Sequence, residues 1–413
     1  MQWLRQAAAE FQSWNRNIRL FFLANIFYQM GTGIFSVLYN LYIQSLGYPQ
    51  EMNGAVVSVQ SLAAALMIIP IGLLGDRSSR KMILIIGVFV TGSCFIGSSF
   101  AESELGLKGF ALLSGLFAAF FQVTAVPFLA SNSTKEQRLR LFSFHFSTML
   151  AAQVMGSFGG GLLGDLLQHI GWNETSSLRS VLFTGGVISI TAFLPLLLVR
   201  EKQEHLVAVK ETATKPPLEA KPLGEWTLIS KITFAQLLVG LGSGLVVPYL
   251  NLYFTDRFNT SLSTVGLLIA LGQIMTIFSM LIGPSLVNRV GQVRAVVSFQ
   301  LLSLPFLLLT GFTNLLLVAS VSFLFRQALM NAANPIQSAI LVDRVSNSRR
   351  GIANSLTQMV FMLGWASMGQ VQPRLITHFG TYWGYVITFS LTGALYVSAA
   401  FYYYFIFRKS SNG

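Results

Sequence analysis

One arginine stands alone inside a long apolar run. Arg326 is the sole formal charge in residues 295–342, and Gln327, Asn331, Asn334 and Ser338 follow it at spacings that give a helix a polar face beside the guanidinium. A guanidinium stays charged and grips a carboxylate or phosphate through two parallel hydrogen bonds. Burying it in a membrane costs at least about 2.5–3.5 kcal/mol, so a functional partner is the default expectation. Recognition of an anionic group is one such role, and anchoring of the helix to backbone carbonyls is the plainer one. Earlier in the chain Asn25, Gln29, Thr32, Ser36 and Asn40 fall three or four residues apart on one helical face, and Gln236, Ser243 and Asn251 echo them later. Trp365 and many of the 34 phenylalanines could cover an apolar body. Catalysis is not indicated. None of the 15 acidic residues lies in mid-run, since Glu51, Asp76, Asp165, Asp256 and Asp343 sit at run ends and the others in loops or tails. The four histidines, His145, His169, His205 and His378, show neither metal-ligand spacing nor an acid partner. No enzyme activity, metal or cofactor is expected, and the lone Cys94 reads as packing.

Membrane-spanning helices must hold these side chains. The 413 residues are 53% hydrophobic and 10% charged, with a mean hydropathy of +0.62, whereas a soluble domain carries roughly 25% charged residues. Residues 20–50, 52–75, 82–101, 109–134, 141–164 and 180–199 are free of charge, and each can cross a hydrocarbon layer that needs about 20 helical residues. Residues 232–255, 258–288, 295–342, 351–373 and 375–407 follow, the 295–342 run holding two helices that turn near residues 311–314. The expectation is an all-α integral membrane protein with twelve transmembrane helices in two six-helix bundles, residues 20–199 and 231–407. Residues 200–230, charged and Pro-containing, read as a linker between them. Residues 1–19 place Trp3, Ala7, Phe11, Trp14 and Ile18 on one face, as an amphipathic helix on the membrane surface would, and residues 408–413 form a tail. Apart from Arg326, only Lys108, Arg179, Arg257 and Arg374 of the 27 Lys and Arg fall on the side opposite both termini. Both termini are therefore expected in the cytoplasm, in the cell (plasma or inner) membrane. The net charge of +12 is then a topology signal, and a nucleic-acid partner is not expected. The first apolar run is too long for the h-region of a signal peptide.

The halves repeat. G-T-G-I-F-S-V-L-Y-N-L-Y from Gly31 aligns with G-S-G-L-V-V-P-Y-L-N-L-Y from Gly242 at an offset of 211 residues, which carries Asn40 onto Asn251 and Arg138 onto Arg349. Residues 72–84 have the pattern G-x-L-x-D-R-x-x-R-K-x-x-L. That segment resembles the signature loop between helices 2 and 3 of the major facilitator superfamily, with Gly72, Asp76, Arg77, Arg80 and Lys81 in place and Ser79 where a glycine is usual.

The resemblance implies two pseudo-symmetric bundles that rock about a central pocket. It also implies a latch in which Asp76 meets the start of helix 11, near Arg349 and Arg350; a carboxylate there gains roughly 0.3–1 kcal/mol from the helix dipole. On helix 5, G-S-F-G-G-G from Gly156 is similar to a motif of proton-coupled exporters with Ser157 in place of its proline. The helix-4 arginine of the R-x-x-Q-G motif is absent, Ala119 preceding Gln122. The pocket of such proteins lies between helices 1, 4, 7 and 10. Asn25, Gln29, Thr32, Ser36, Gln122, Gln236, Arg326, Gln327, Asn331 and Asn334 are the expected lining, with Trp365 on helix 11. The expected function is secondary transport of a small anionic or amphiphilic organic solute by alternating access, export being favoured over uptake. Proton-coupled multidrug efflux or lipid-type transport, with Arg326 structural, is the alternative, and a non-transporting receptor or scaffold is another. The solute, the lipid bilayer and a coupling proton are the implied partners of a chain expected to act as a monomer.

Overall fold

A computed structural model describes residues 14–75, 78–200, 224–346 and 349–408. The surface segment before residue 14, Asp76, Arg77, residues 201–223 of the linker and residues 409–413 of the tail lie outside the described residues. The chain forms Arg16–Ser45 (α1), Gln50–Gly75 (α2), Arg80–Phe100 (α3), Glu104–Ser131 (α4), Lys135–His169 (α5), and Glu174–Thr191 with Phe193–Leu197 (together α6). The second half forms Gly224–Val246, Val247–Tyr249 and Leu250–Phe258 (together α7), Leu262–Val290 (α8), Gln292–Phe312 (α9), Leu316–Arg344 (α10), Arg350–Met368 (α11) and Val371–Arg408. Within that last stretch Gly380, at φ 75° and ψ 168°, leaves helical geometry. Only glycine adopts such a backbone cheaply. Residues 371–379 therefore prolong α11, and residues 381–408 are α12.

Among the described residues eleven stretches are long and apolar enough to span a membrane, and the last, of 58 residues, turns at Gly380 and spans twice, giving twelve crossings. Helix starts follow ordinary capping: Ser79, Ser103, Asn173 and Ser261 each accept an N–H of the first turn. Several helices overrun the charge-free runs, and three of these boundaries have a local cause. α1 begins at Arg16, because Asn15 caps it through the Asn17 N–H. α7 begins at Gly224, where Glu225 in the first turn accepts the Ser346 N–H and pairs with Arg349 at 3.1 Å. α11 runs past Arg374, which is exposed on its surface.

The halves are related element by element. α1 packs on α5 and α6, α2 on α4, and α3 on α4 and α6. Correspondingly α7 packs on α11 and α12, α8 on α10, and α9 on α10 and α12. Between the halves, α2 meets α11 and α5 meets α8. Arg80, Lys81, Arg344, Arg349 and Arg350 mark one end of the molecule, here the basic end; the opposite end is the far end. Buried apolar residues are distributed unevenly between the ends. At the basic end each bundle has its own core, around Phe21, Phe121 and Leu196 in one and Ile232, Phe299 and Tyr403 in the other. At the far end one core, including Leu38, Tyr42, Val56, Tyr249, Phe254 and Tyr385, runs through both. The bundles are joined at the far end and separate at the basic end.

Candidate functional site

Above the level where the bundles part, a cavity of about 330 Å³ lies between them. α1 contributes Thr32, Ser36, Tyr39 and Asn40, α2 Gln60 and Ser61, α3 Ser98, α4 Ser114, α7 Asn251, α8 Gln273 and α10 Gln327. Phe35, Phe95, Phe323 and Trp365 supply the apolar wall. Phe35 and Phe95 stack with centroids 3.9 Å apart, and the Trp365 indole N–H donates to Ser243 at 2.7 Å, fixing its ring. No charged side chain lines the cavity among the described residues. Such a wall suits a partly aromatic molecule with several hydrogen-bonding groups.

Of the residues expected in the pocket, Thr32, Ser36, Gln327 and Trp365 line it. Arg326 is 3% exposed and sits one side chain behind the wall. Its Nη1 donates to Gln327 Oε1 at 3.0 Å and its Nη2 to the Tyr396 hydroxyl at 2.9 Å, while Nε has no partner. The guanidinium carbon lies 5.7 Å from the Tyr396 ring centroid. No carboxylate neutralises it among the described residues, so its charge reaches the cavity through Gln327. Asn25 and Gln29 are sunk in the first bundle; neither end of the Asn25 amide has a partner, and Gln29 accepts from Gln153 of α5 at 2.9 Å. Gln236 bonds Gln337 at 3.1 Å, and Asn331 bonds Thr276 at 3.3 Å and accepts from Asn334 at 3.1 Å, on the basic side of the cavity. Gln122 is exposed there, 3.4 Å from Gln358.

The repeat closes the far end. Asn40 donates to the Pro248 carbonyl at 2.7 Å and Asn251 donates to the Val37 carbonyl at 2.7 Å, with Asn40 and Asn251 3.3 Å apart. Each of these bonds is the other's image under the repeat offset. The Asp165 carboxylate accepts the Leu262 and Ser263 N–H groups at 3.1 and 2.9 Å, and also the Ser263 hydroxyl. Glycines let backbones touch: a Cβ on Gly54 would collide with the Gly369 carbonyl, and one on Gly161 with the Leu262 carbonyl. At the basic end the one cross-half hydrogen bond among the described residues is Gln122 to Gln358.

The expected latch residues are placed as follows. A Cβ on Gly72 would find nothing nearer than Ser355 Oγ at 3.8 Å, so α2 stands off α11 there. Arg80 donates to the Gly75 and Pro127 carbonyls and Lys81 to the Leu197 and Val199 carbonyls, all within the first half. Arg349 is held by Glu225, and Arg350 Nε donates to the Val345 carbonyl at 3.1 Å. Asp76 and Arg77 lie outside the described residues.

The sequence reading did not bring Gln60, Ser98, Ser114 or Gln273 into the site. Each lies in an apolar run with at most a hydroxyl residue or two for polar company, a weak signal that becomes informative only once the helices are paired.

Known proteins agree with this architecture. The chain is 22% identical over 343 residues to an uncharacterized MFS-type transporter, MJ1560, of Methanocaldococcus jannaschii, covering 83% of this chain and 86% of that one. It is 22% identical over 388 residues to the multi-drug resistance efflux pump PmrA of Streptococcus pneumoniae, covering 92% and 93%. Among solved structures, a bacterial homolog of the human lysosomal transporter Spinster, in an inward-facing and unoccupied conformation, superposes with a TM-score of 0.76 at 16% identity, covering 95% of this chain and 96% of that one. The nucleoside transporter NupG superposes at 0.74 and 14% identity, covering 95% and 99%. The Major Facilitator Superfamily model matches residues 21–233 and 232–412. With two repeated six-helix bundles, a cavity between them and that match over nearly its whole length, the chain belongs to the Major Facilitator Superfamily of membrane transporters.

Proposed function

We propose that the protein exports a small amphiphilic organic solute, with anionic or hydrogen-bond-accepting groups preferred over cationic ones, by alternating access. The observation that carries this reading is the cavity itself: uncharged polar and aromatic in its lining, with an unneutralised guanidinium one hydrogen bond behind the wall. In a low-dielectric setting that charge favours a carboxylate and disfavours an ammonium group. Resemblance to PmrA, a multi-drug efflux pump, supports export and a permissive cavity. In this reading the basic end is cytoplasmic, as its lysines and arginines suggest, and the structure represents the state open to the cytoplasm. A single chain contains the whole cavity, so the monomer is the working unit. Energy coupling is left to groups outside the cavity, because no carboxylate or histidine lines it among the described residues.

The test is a thermal-shift comparison of the purified protein with an aromatic carboxylate (salicylate), its neutral amide (salicylamide) and an aromatic cation (benzyltrimethylammonium). The expected order of stabilisation is carboxylate, then amide, with none from the cation. Equal stabilisation by the cation would favour the second reading, drug-type efflux with Arg326 purely structural, for which the Tyr396 hydrogen bond is the specific support.

A further inference from the structure

The far-end seal contains a polar cluster that solute transport does not use. Asp256 of α7 accepts from Gln50 Nε2 of α2 at 2.7 Å and from the Tyr385 hydroxyl of α12 at 2.9 Å. No lysine, arginine or histidine pairs with it among the described residues. Gln372 of α11 lies within reach of the Tyr385 hydroxyl and is 1% exposed, yet neither its Oε1 nor its Nε2 makes a well-aligned hydrogen bond. Gln50 Oε1 is likewise buried and unpartnered. A buried polar group left without a hydrogen bond is costly. One of these amides donates to the Asp256 carboxylate and the other lies beside the tyrosine that donates to it, an arrangement that points to a ligand shared by the cluster.

The surrounding charges favour a cation. Glu51, next to Gln50, accepts from Thr377 and adds a second negative group. Arg257 turns away, donating to the Thr313 carbonyl at 2.9 Å and to Asn314 at 3.0 Å and lying over the Tyr382 ring at 4.3 Å. Arg374 and His378, the other charged or titratable groups on α11 at this end, are exposed. Carboxylate, amide and hydroxyl oxygens are hard ligands, suited to hard cations and not to transition metals. Glu51 is directed to Thr377, so within the cluster Asp256 is the one carboxylate among the described residues, and one carboxylate among neutral oxygens fits a single positive charge.

We propose that Asp256, Gln50, Gln372 and Tyr385 form a sodium-ion site. Amide oxygen and nitrogen are interchangeable by rotation, so Gln50 and Gln372 present Oε1 to the ion bound at the Asp256 carboxylate. Gln50 belongs to one half and the other three ligands to the other, so the ion fastens the halves at the far end. That fastening role rests on the alternating-access reading; binding of the ion does not.

The test measures the melting temperature of the full-length purified protein as NaCl replaces choline chloride at constant ionic strength, with KCl as a third arm, and repeats it for Asp256→Asn and Gln372→Met. The expected result is a saturable rise of about 2 °C or more in sodium, absent in choline and in both variants. Binding of radioactive sodium to the wild type and to Gln372→Met gives the same comparison if Asp256→Asn does not fold. Identical melting in NaCl and choline, or an undiminished sodium effect in the variants, overturns the site. A shift with pH and none with sodium makes the occupant a proton and equally overturns the assignment. No solute is present in any arm, so failure here leaves the transport reading standing, and failure of the solute comparison leaves this site standing.

Discussion

Arg326→Gln lowers the affinity for an aromatic carboxylate by tenfold or more, while Arg326→Lys keeps most of it. Arg326 has no acidic partner among the described residues and hydrogen-bonds to Gln327, which faces the cavity. A unit charge about 6 Å from a carboxylate, at an effective dielectric constant of about 20, is worth roughly 3 kcal/mol. About 1.4 kcal/mol is a factor of ten in Kd, so even half of that interaction gives the stated loss. Glutamine can still hydrogen-bond to Tyr396 and Gln327, which keeps α10 and α12 packed and separates the loss of charge from loss of fold. Lysine restores the charge without the planar fork. Equilibrium binding to the purified variants, with melting temperature as the folding control, reads the effect directly. Unchanged carboxylate affinity in Arg326→Gln would make the arginine an anchor of α10 on Tyr396 and nothing more.

Gly54→Leu abolishes transport, to below about a tenth of wild type, and holds the far end open. Where α2 crosses α11 the backbones touch: the space that a Cβ at Gly54 would need is filled by the Gly369 carbonyl, and that at Gly369 by Ser58. Small residues permit such contact in membranes, and a branched side chain there must push the helices apart. Overpacking a tight contact costs about 1–3 kcal/mol, enough to shift two states of similar energy. Each bundle keeps its own core at the basic end, so the protein still folds. A cysteine at Gln60, which lines the cavity, then reacts faster with a membrane-impermeant thiol reagent applied from the far side. Gly109→Leu is the control, because a Cβ there meets nothing within 4 Å. Labelling and transport at wild-type levels in Gly54→Leu would mean that this crossing is not part of the moving seal.

Much of the architecture was legible because lipid tolerates few charges. Charge-free runs marked helices, and the repeat from Gly31 and Gly242 foretold that Asn40 and Asn251 occupy equivalent places. That they exchange mirror-related bonds to the Val37 and Pro248 carbonyls is a tertiary fact no local pattern carries. Helix ends were blurred wherever a charge could reach the surface: Arg374 interrupts a run without ending a helix, as a long side chain can extend to the interface. The site was read in part. Helical spacing assigns residues to a face but not to a depth, so Thr32 and Ser36 line the cavity while Asn25 and Gln29, on the same stripe, are sunk in the first bundle. Arg326 announced itself by its charge, whereas its partner Tyr396, remote in sequence, did not. Arg349 pairs with Glu225 because α7 starts inside the stretch read as linker.

Alternating access requires two bundles that rock about the cavity, and distance measurements at both ends test that motion most directly. Spin labels at Ile170 and Phe379, exposed at the far end in opposite halves, and at Ser131 and Arg289, exposed at the basic end in opposite halves, give one distance for each end in lipid bilayers. The prediction is two populations at each end that change reciprocally, the far-end distance lengthening as the basic-end distance shortens, with Gly54→Leu favouring the far-open population. A single unchanging distance at both ends, in wild type and variant alike and with or without salicylate, would contradict alternating access and leave a fixed membrane scaffold.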